Sequence, residues 1–532
     1  MKNAGRKGTP DVCIVGAGLV GGLMAYELAR RGLKVVVLEA GPHYKLEERA
    51  TYTQDLVMGR IRGPAFASDL PERDVYSNTG EVEYPLNDLR VKAVGGSTLH
   101  WGGQALRFIE SDFRLKTLYG IAEDWPISYD DLEPFYVKAE RALGVAGAAD
   151  NPFASRRSAD FPLPAFPFSA GDKVFQDACQ KLGIVAHSIP WARNSVPYQN
   201  RPACAAFATC DTYRICPIAA QYTSENHLEL AVATGNAQVT ASANVVRLLT
   251  DRQKRITSAV YMSRDKKEGE QKARMFVLAA HTVESARLLL LSESSQFPHG
   301  LANGSGMVGK YFMEHPAIGV SGMLKQKVFP YRIGFPTAET LQFCNPKNRH
   351  EQAGIKLEFH NYRGPTPFGI AASSGNWGQA LADEVRESFG HHISVEATIE
   401  QLPNPGNTVS LDPTLRDYFG NPAPRITYSF GAYEKTALET ATKLARGILT
   451  AAGVERIEGE VQHGFGAHPM GTCRMGNDPA TSVVNRDLRA HDVPNLYVVG
   501  SSVFVTGSSL QPSLTIAALA IRAAEHIAQG SA

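Results

Sequence analysis

The sequence predicts an α/β fold in which a domain built on a parallel sheet is discontinuous, split by a second, inserted domain. Three observations carry this. Residues 11–42 run from an apolar strand, "VCIVG", through a glycine turn and a helix into another apolar strand, "KVVVLEAG". Unbroken apolar runs of this kind suit a parallel strand covered on both faces. Residues 140–200 and 316–430 interrupt that order, being rich in Pro and Asn with irregular periodicity. A strand, "NLYVVG" (495–500), and a final helix, "SLTIAALAIRAAEHIA" (513–528), then return to the parallel-sheet pattern.

Composition narrows the function classes. The chain has 54 basic and 53 acidic residues and a formal charge of +1, so no long-range field draws nucleic acid or an anionic membrane. No apolar run approaches the about 18 residues that cross a bilayer. Hydrophobic residues at 43% and charged residues at 20% fit a packed globular protein. The basic start, "MKNAGRKGTP", leads into strand, turn and helix rather than a secretory apolar core, so no export signal is expected on this chain. Seven cysteines, an odd and sparse set, argue against a disulfide scaffold.

The elements follow in order. "GAGLVG" sets Gly16, Gly18 and Gly21 between the first strand and its helix, and Glu39 ends the next strand. The first glycine permits the sharp turn, the second lets a pyrophosphate approach the backbone, and the third packs helix on sheet. A carboxylate at Glu39 suits a ribose 2′-hydroxyl, which favours FAD or NAD over NADP. "AVGGSTLHWGG" (93–103) is a second glycine-rich stretch whose amides suit a large ring. "NVVRLLT", "SAVYMSR" and "ARMFVLAA", between 244 and 280, predict a three-stranded meander, with the charged "DKKEGEQK" (265–272) as a solvated hairpin loop. "YEKTALETATKLARGILTAAG" (433–453) predicts a helix.

Residues 204–216, "CAAFATCDTYRIC", gather Cys204, Cys210 and Cys216 at C-x5-C-x5-C spacing. A disulfide plus a free thiol leaves one cysteine over, and zinc normally takes four ligands with CxxC spacing. An iron–sulfur cluster is the third reading, since thiolates suit iron and a cubane lacking one iron needs only three of them.

Three further stretches complete an ordered set: "FVLAAHTVESARLLLLS" (276–292), "NGSGMVGKYFMEHP" (303–316) and "AHPMGTCRMG" (467–476). With them the chain resembles the glucose–methanol–choline (GMC) family of flavin oxidoreductases from residue 11 to 528. "DWPISYDDLEPFYVKAE" (124–140) and "RICPIAAQYT" (214–223) look most like the catalytic subunits of bacterial FAD-dependent sugar dehydrogenases of the glucose, gluconate and fructose type. The resemblance implies an FAD-binding Rossmann-like domain over 1–140, 200–315 and 460–532. It implies an inserted α+β substrate-binding domain, on an antiparallel sheet, over 141–199 and 316–459.

The resemblance also assigns roles. His468 takes the place of the catalytic base, a role that suits an imidazole titrating near the working pH; His463 is a fallback. Gln511 stands where the family places His or Asn, and can hydrogen-bond a substrate hydroxyl but not act as a base. FAD is expected against Gly16, Gly18, Gly21, Glu39, Gly95, Gly96, Ser97, His100, Trp101, Gly102, Val245, Gly500, Ser501 and Thr515, with His100 a point of covalent attachment in some members. Cys204, Cys210 and Cys216 are implied ligands of a 3Fe–4S cluster. The implied enzyme is a dehydrogenase oxidising a hydroxyl of a sugar, glycoside or sugar acid, with electrons leaving through the cluster to a cytochrome c subunit or other acceptor. A small chaperone-like subunit carrying the export signal would take it to the periplasm. The alternative is a cytoplasmic sugar or glycoside oxidase, such as a glycoside 3-oxidase, that produces hydrogen peroxide.

Overall fold

The computed structural model describes residues 8–57, 66, 68–206, 215–328, 334–360, 366–454 and 457–530. Its first layer is a parallel sheet whose strands lie in the order Leu496–Val498, Met275–Leu278, Val12–Val15, Val35–Leu38 and Ala237–Thr240. Every residue of the strands Val12–Val15 and Val35–Leu38 is buried, because helices cover the sheet. The helix Leu19–Ala29 packs against Glu225–Ala233 and Ser513–Gly530. The turn before it needs glycine: Gly16 has φ +105°, and a Cβ there would lie 2.4 Å from the carbonyl oxygen of Ala279.

The second layer is an antiparallel sheet in the order Ile457–Phe465, Pro316–Met323, His392–Ile399, Ile355–His360, Ala338–Thr340 and His187–Ser188. The helices Ala432–Ala451 and Ala170–Lys181 pack on one face of it. Ala437, Ala441 and Ala445, one turn apart, are fully buried and let the longer helix sit close. Strand residues alternate between faces. Ile355, Leu357 and Phe359 join the apolar core beneath the helices, as do Ile393, Val395, Ala397 and Ile399. Lys356, Glu358 and His360, with Ser394, Glu396 and Thr398, therefore belong to the opposite face.

Three expectations change. "ARMFVLAA" is not the last strand of a meander: Met275–Leu278 pairs in parallel with Val12–Val15 and with Leu496–Val498. The charged stretch is a hairpin turn only over 265–267, since Glu268–Lys272 pairs antiparallel with Ser258–Met262. Its residues alternate in exposure, so charge at every other position marked an edge strand with one wet face. The hairpin of Thr408–Arg416 and Pro422–Tyr428, inside the expected inserted domain, pairs in parallel with Ser77–Gly80. Val409, Ile426 and Tyr428 lie in the core of the first layer.

One buried ion triad ties the two layers together. Arg349, fully buried, reaches Asp112 at 2.5 Å and both carboxylate oxygens of Glu400 at 2.7 and 2.9 Å.

Candidate active site

A cavity of about 430 Å³ lies between the parallel sheet and the polar face of the antiparallel sheet. Its walls include Gly16, Gly18, Glu39, Gly96, Ser97, His100, Trp101, Gly102, Val245, Gly500, Ser501, His468 and Gln511, gathered from segments almost 500 residues apart. A Cβ on Gly96, itself at φ +55°, would stand 2.7 Å from the Cα of Gly18. The two glycine stretches thus meet as bare backbone, a cradle that any side chain would fill, and this fits the dinucleotide they were expected to hold. Glu39 accepts hydrogen bonds from the amides of Ala17 and Gly41 at 2.9 and 3.0 Å. Burial raises its carboxyl above the usual range against those bonds. Trp101 is fixed by its indole N–H, which donates to the carbonyl of Tyr222 at 2.9 Å.

Other expected residues lie off the wall. Gly21 sits against the carbonyl oxygen of Gly16, and the amide of Gly95 donates to the carbonyl of Ala17. Thr515 is fully buried, its hydroxyl 2.7 Å from that of Tyr136. His463 is exposed on the outer strand of the antiparallel sheet and away from the cavity.

His468 is held from two sides. Its amide donates to Oε1 of Glu314 at 2.6 Å, and its ring Nδ1 lies 3.0 Å from Nδ1 of His315. Glu314 also accepts from the amide of His315 at 2.8 Å and, through Oε2, from the hydroxyl of Tyr84 at 2.8 Å. Burial pushes His315 down to about 4, so its ring is neutral at neutral pH. Burial likewise pushes Glu314 up to about 7 against its three hydrogen bonds. The sequence reading gave His315 no role and passed over Glu314, although both stand in "MEHP" beside a proline that starts a strand.

A polar network missed from the sequence surrounds Gln511. Lys356 Nζ, fully buried, donates to Oε1 of Gln511 at 2.9 Å and to Oε1 of Gln104 at 2.6 Å, and pairs with Glu358 and with Glu339 at 3.1 Å. Both amides donate back to Glu358, from Gln511 at 3.0 Å and from Gln104 at 2.7 Å. His360 Nε2 lies 3.0 Å from Glu358 and 3.6 Å from Glu396. Burial opposes ionisation of Glu358, but Lys356 and His360 outweigh it and hold the carboxyl well below its usual range. Burial pushes Glu339 up to about 7 despite Lys356. The signal lies in "IKLEFH" and "HISVEATI", whose polar residues alternate with apolar ones inside a stretch read from the sequence as irregular. Of these, Glu358, His360, Glu396 and Thr398 line the cavity.

The three cysteines divide. Cys204 and Cys216 are half-buried free thiols, and Cys210 lies outside the described residues. The amide of Cys204 donates to the carbonyl of Asn194 at 2.8 Å. Beside Cys216 stands Arg201, whose buried guanidinium leaves Nη1 without a hydrogen-bond partner among the described residues. Its Nη2 donates to the carbonyl of Leu143 at 2.9 Å, so one N–H of a buried cation beside the Cys216 thiol stays open to an anionic group. Among the described residues no three ligating side chains are grouped as a metal site.

Comparison with known proteins places these features. Residues 89–317 and 403–520 match the models for GMC oxidoreductase, and residues 11–64 match the model for FAD dependent oxidoreductase. The chain is 32% identical to the fructose dehydrogenase large subunit of Gluconobacter japonicus, over 97% of each chain. It is 28% identical to the gluconate 2-dehydrogenase flavoprotein of Pantoea cypripedii, covering 97% of this chain and 93% of that one. Among solved structures, formate oxidase superposes with a TM-score of 0.71 at 15% identity, over 99% of each chain.

Proposed function

As this chain belongs to the GMC oxidoreductase family and is an FAD-dependent oxidoreductase acting on CH–OH groups, we propose that it is a dehydrogenase oxidising a hydroxyl of a carbohydrate. The observation that carries the mechanism is His468, on the cavity wall, with Nδ1 against the neutral ring of His315. In the productive tautomer His468 Nδ1–H donates to His315, and the substrate hydroxyl gives its proton to Nε2. Glu314 holds the main chain of both histidines, so the pair keeps its orientation as the proton arrives. Gln511 cannot take a proton; its amide, oriented by Lys356 and Glu358, lines the same pocket. Bound against the glycine cradle, FAD supplies the acceptor for the hydride of the same carbon.

The same proposal assigns Cys204, Cys210 and Cys216 to a 3Fe–4S cluster. Such a cluster supplies a one-electron exit to a cytochrome c subunit or other acceptor. The free thiols of Cys204 and Cys216 and the unpartnered Nη1 of Arg201 among the described residues support it. A small partner subunit bearing the export signal, and a periplasmic location, belong to this reading. Among the described residues no helix is long and apolar enough to cross a membrane.

The test is anaerobic. His468→Ala should retain FAD but lose reduction of its flavin by sugar about a hundredfold or more. Bleaching at the normal rate in that variant would remove His468 from the mechanism.

A further inference from the structure

Two carboxamides on the cavity wall are turned the same way by one buried ion pair. Gln104, just after the second glycine stretch, and Gln511, at the entrance to the last helix, both line the cavity. Each accepts through its oxygen from Nζ of Lys356, at 2.6 and 2.9 Å, and donates one N–H to Glu358, at 2.7 and 3.0 Å. Gln511 donates to Oε1 of that carboxylate and Gln104 to Oε2, so the two amides stand side by side. Burial opposes the charge on Lys356, but Glu358 and Glu339 outweigh it and keep the side chain an ammonium. That cation decides which end of each amide is which, because a reversed carboxamide would turn its own donors on it. A carboxamide carries two N–H donors. One of each pair is spent on Glu358, and neither amide nitrogen makes a further hydrogen bond among the described residues. Satisfying Lys356 and Glu358 therefore accounts for one N–H of each glutamine and leaves a second over. With a cation against the amide oxygen, that second N–H is a stronger donor than usual.

Resting on the alcohol-oxidation reading above, we infer that Gln104 is a specificity-determining residue: with Gln511 it forms a paired donor whose remaining N–H groups hold two neighbouring hydroxyl oxygens of the substrate, so that the enzyme selects a vicinal diol. Gln511 meets one oxygen and Gln104 the oxygen on the next carbon. Amides anchored together on one carboxylate suit oxygens on adjacent carbons rather than oxygens across a ring. Because both amide oxygens face Lys356, this part of the wall offers donors. The proton of the reacting hydroxyl is taken elsewhere, by His468. A site built to bond a hydroxyl rejects the analogue that lacks it, since its buried polar groups are then left without a partner.

The experiment follows anaerobic flavin bleaching in the FAD-replete holoenzyme. The neutral sugar that bleaches it best is compared with each of its monodeoxy analogues that is still oxidised, in the unaltered protein and in Gln104→Met. Loss of one hydroxyl next to the oxidised carbon should raise KM about tenfold in the unaltered protein. Gln104→Met should raise KM for the parent sugar by a similar factor and leave KM for that analogue unchanged, because both changes remove the same contact. Should the variant lose FAD, Gln104→Asn, which keeps the carboxamide but draws it back by one methylene, goes through the same cycle with the same expectation. Two results overturn the inference while leaving the alcohol-oxidation reading standing. One is a set of monodeoxy analogues all bound as well as the parent. The other is a variant whose effect is nil, or equal on the parent and every analogue, as a packing role would give. If no sugar bleaches the flavin of the unaltered protein, that reading falls and the inference with it.

Discussion

Burial raises the carboxyls of Glu314, beside His315, and Glu339, beside Lys356, to about 7, well above a solvated glutamate. Glu314 is the more consequential, because its bonds set both histidines. Its folded value, about 7 against 4.5, means that the folded state binds more protons than the unfolded one between those pH values. Its contribution to stability therefore falls as pH rises through that window, and the scale is about 3 kcal/mol. His315 runs the other way: lowered to about 4, it favours the folded state increasingly as pH climbs from 4 to 6.5. Glu314→Gln removes the first effect and leaves the second. The melting temperature of that variant, relative to the unaltered protein, should therefore improve between pH 5 and pH 7.5. An unchanged difference across that range would show that Glu314 titrates normally. From sequence alone His468 was found because it stands in a recognisable loop. Glu314 and His315 were not, because their role depends on a loop 153 residues away.

At the scale of elements, alternation carries most of the information and also marks where it stops. The strand "IKLEFH" has the period of a half-buried strand, with one face under helices and the other facing away from the apolar core. Sequence states that the second face is polar; it does not state whether water or a cavity meets it. The same ambiguity hid Glu268–Lys272, whose charge suggested a loop although its period was that of a strand. Glycine turns were read more securely, since a bare backbone is required wherever two chains approach within a Cβ radius. Contacts between elements leave no local trace, and Arg349 is the clearest case. Removing it by Arg349→Met leaves Asp112 and Glu400 buried without their common cation. Urea unfolding should report a loss of about 3–5 kcal/mol. A loss below 1 kcal/mol would mean that water already reaches the two carboxylates.

For the whole molecule, the parallel-sheet domain and its interruption were legible because the first and last strands share one apolar signature. The hairpin that packs back onto the first layer was not, because only the pairing with Ser77–Gly80 reveals it. The thiol loop is the point at which a measurement on the intact protein says most. Purified holoenzyme should contain about three iron atoms and about four acid-labile sulfides per chain, and give an oxidised-state EPR signal. FAD-replete protein with neither iron nor sulfide would remove the proposed one-electron exit and leave oxygen as the acceptor. The order of the parallel sheet has a consequence for biosynthesis. Its edge strand, Leu496–Val498, docks on Met275–Leu278, and Gly500, Ser501 and Gln511 follow it into the cavity wall. A chain still emerging from the ribosome holds nearly all its glycine cradle yet lacks the side that closes it. Cofactor capture must therefore wait until these residues have been made, and a product that stops before Leu496 would be released with its pocket open.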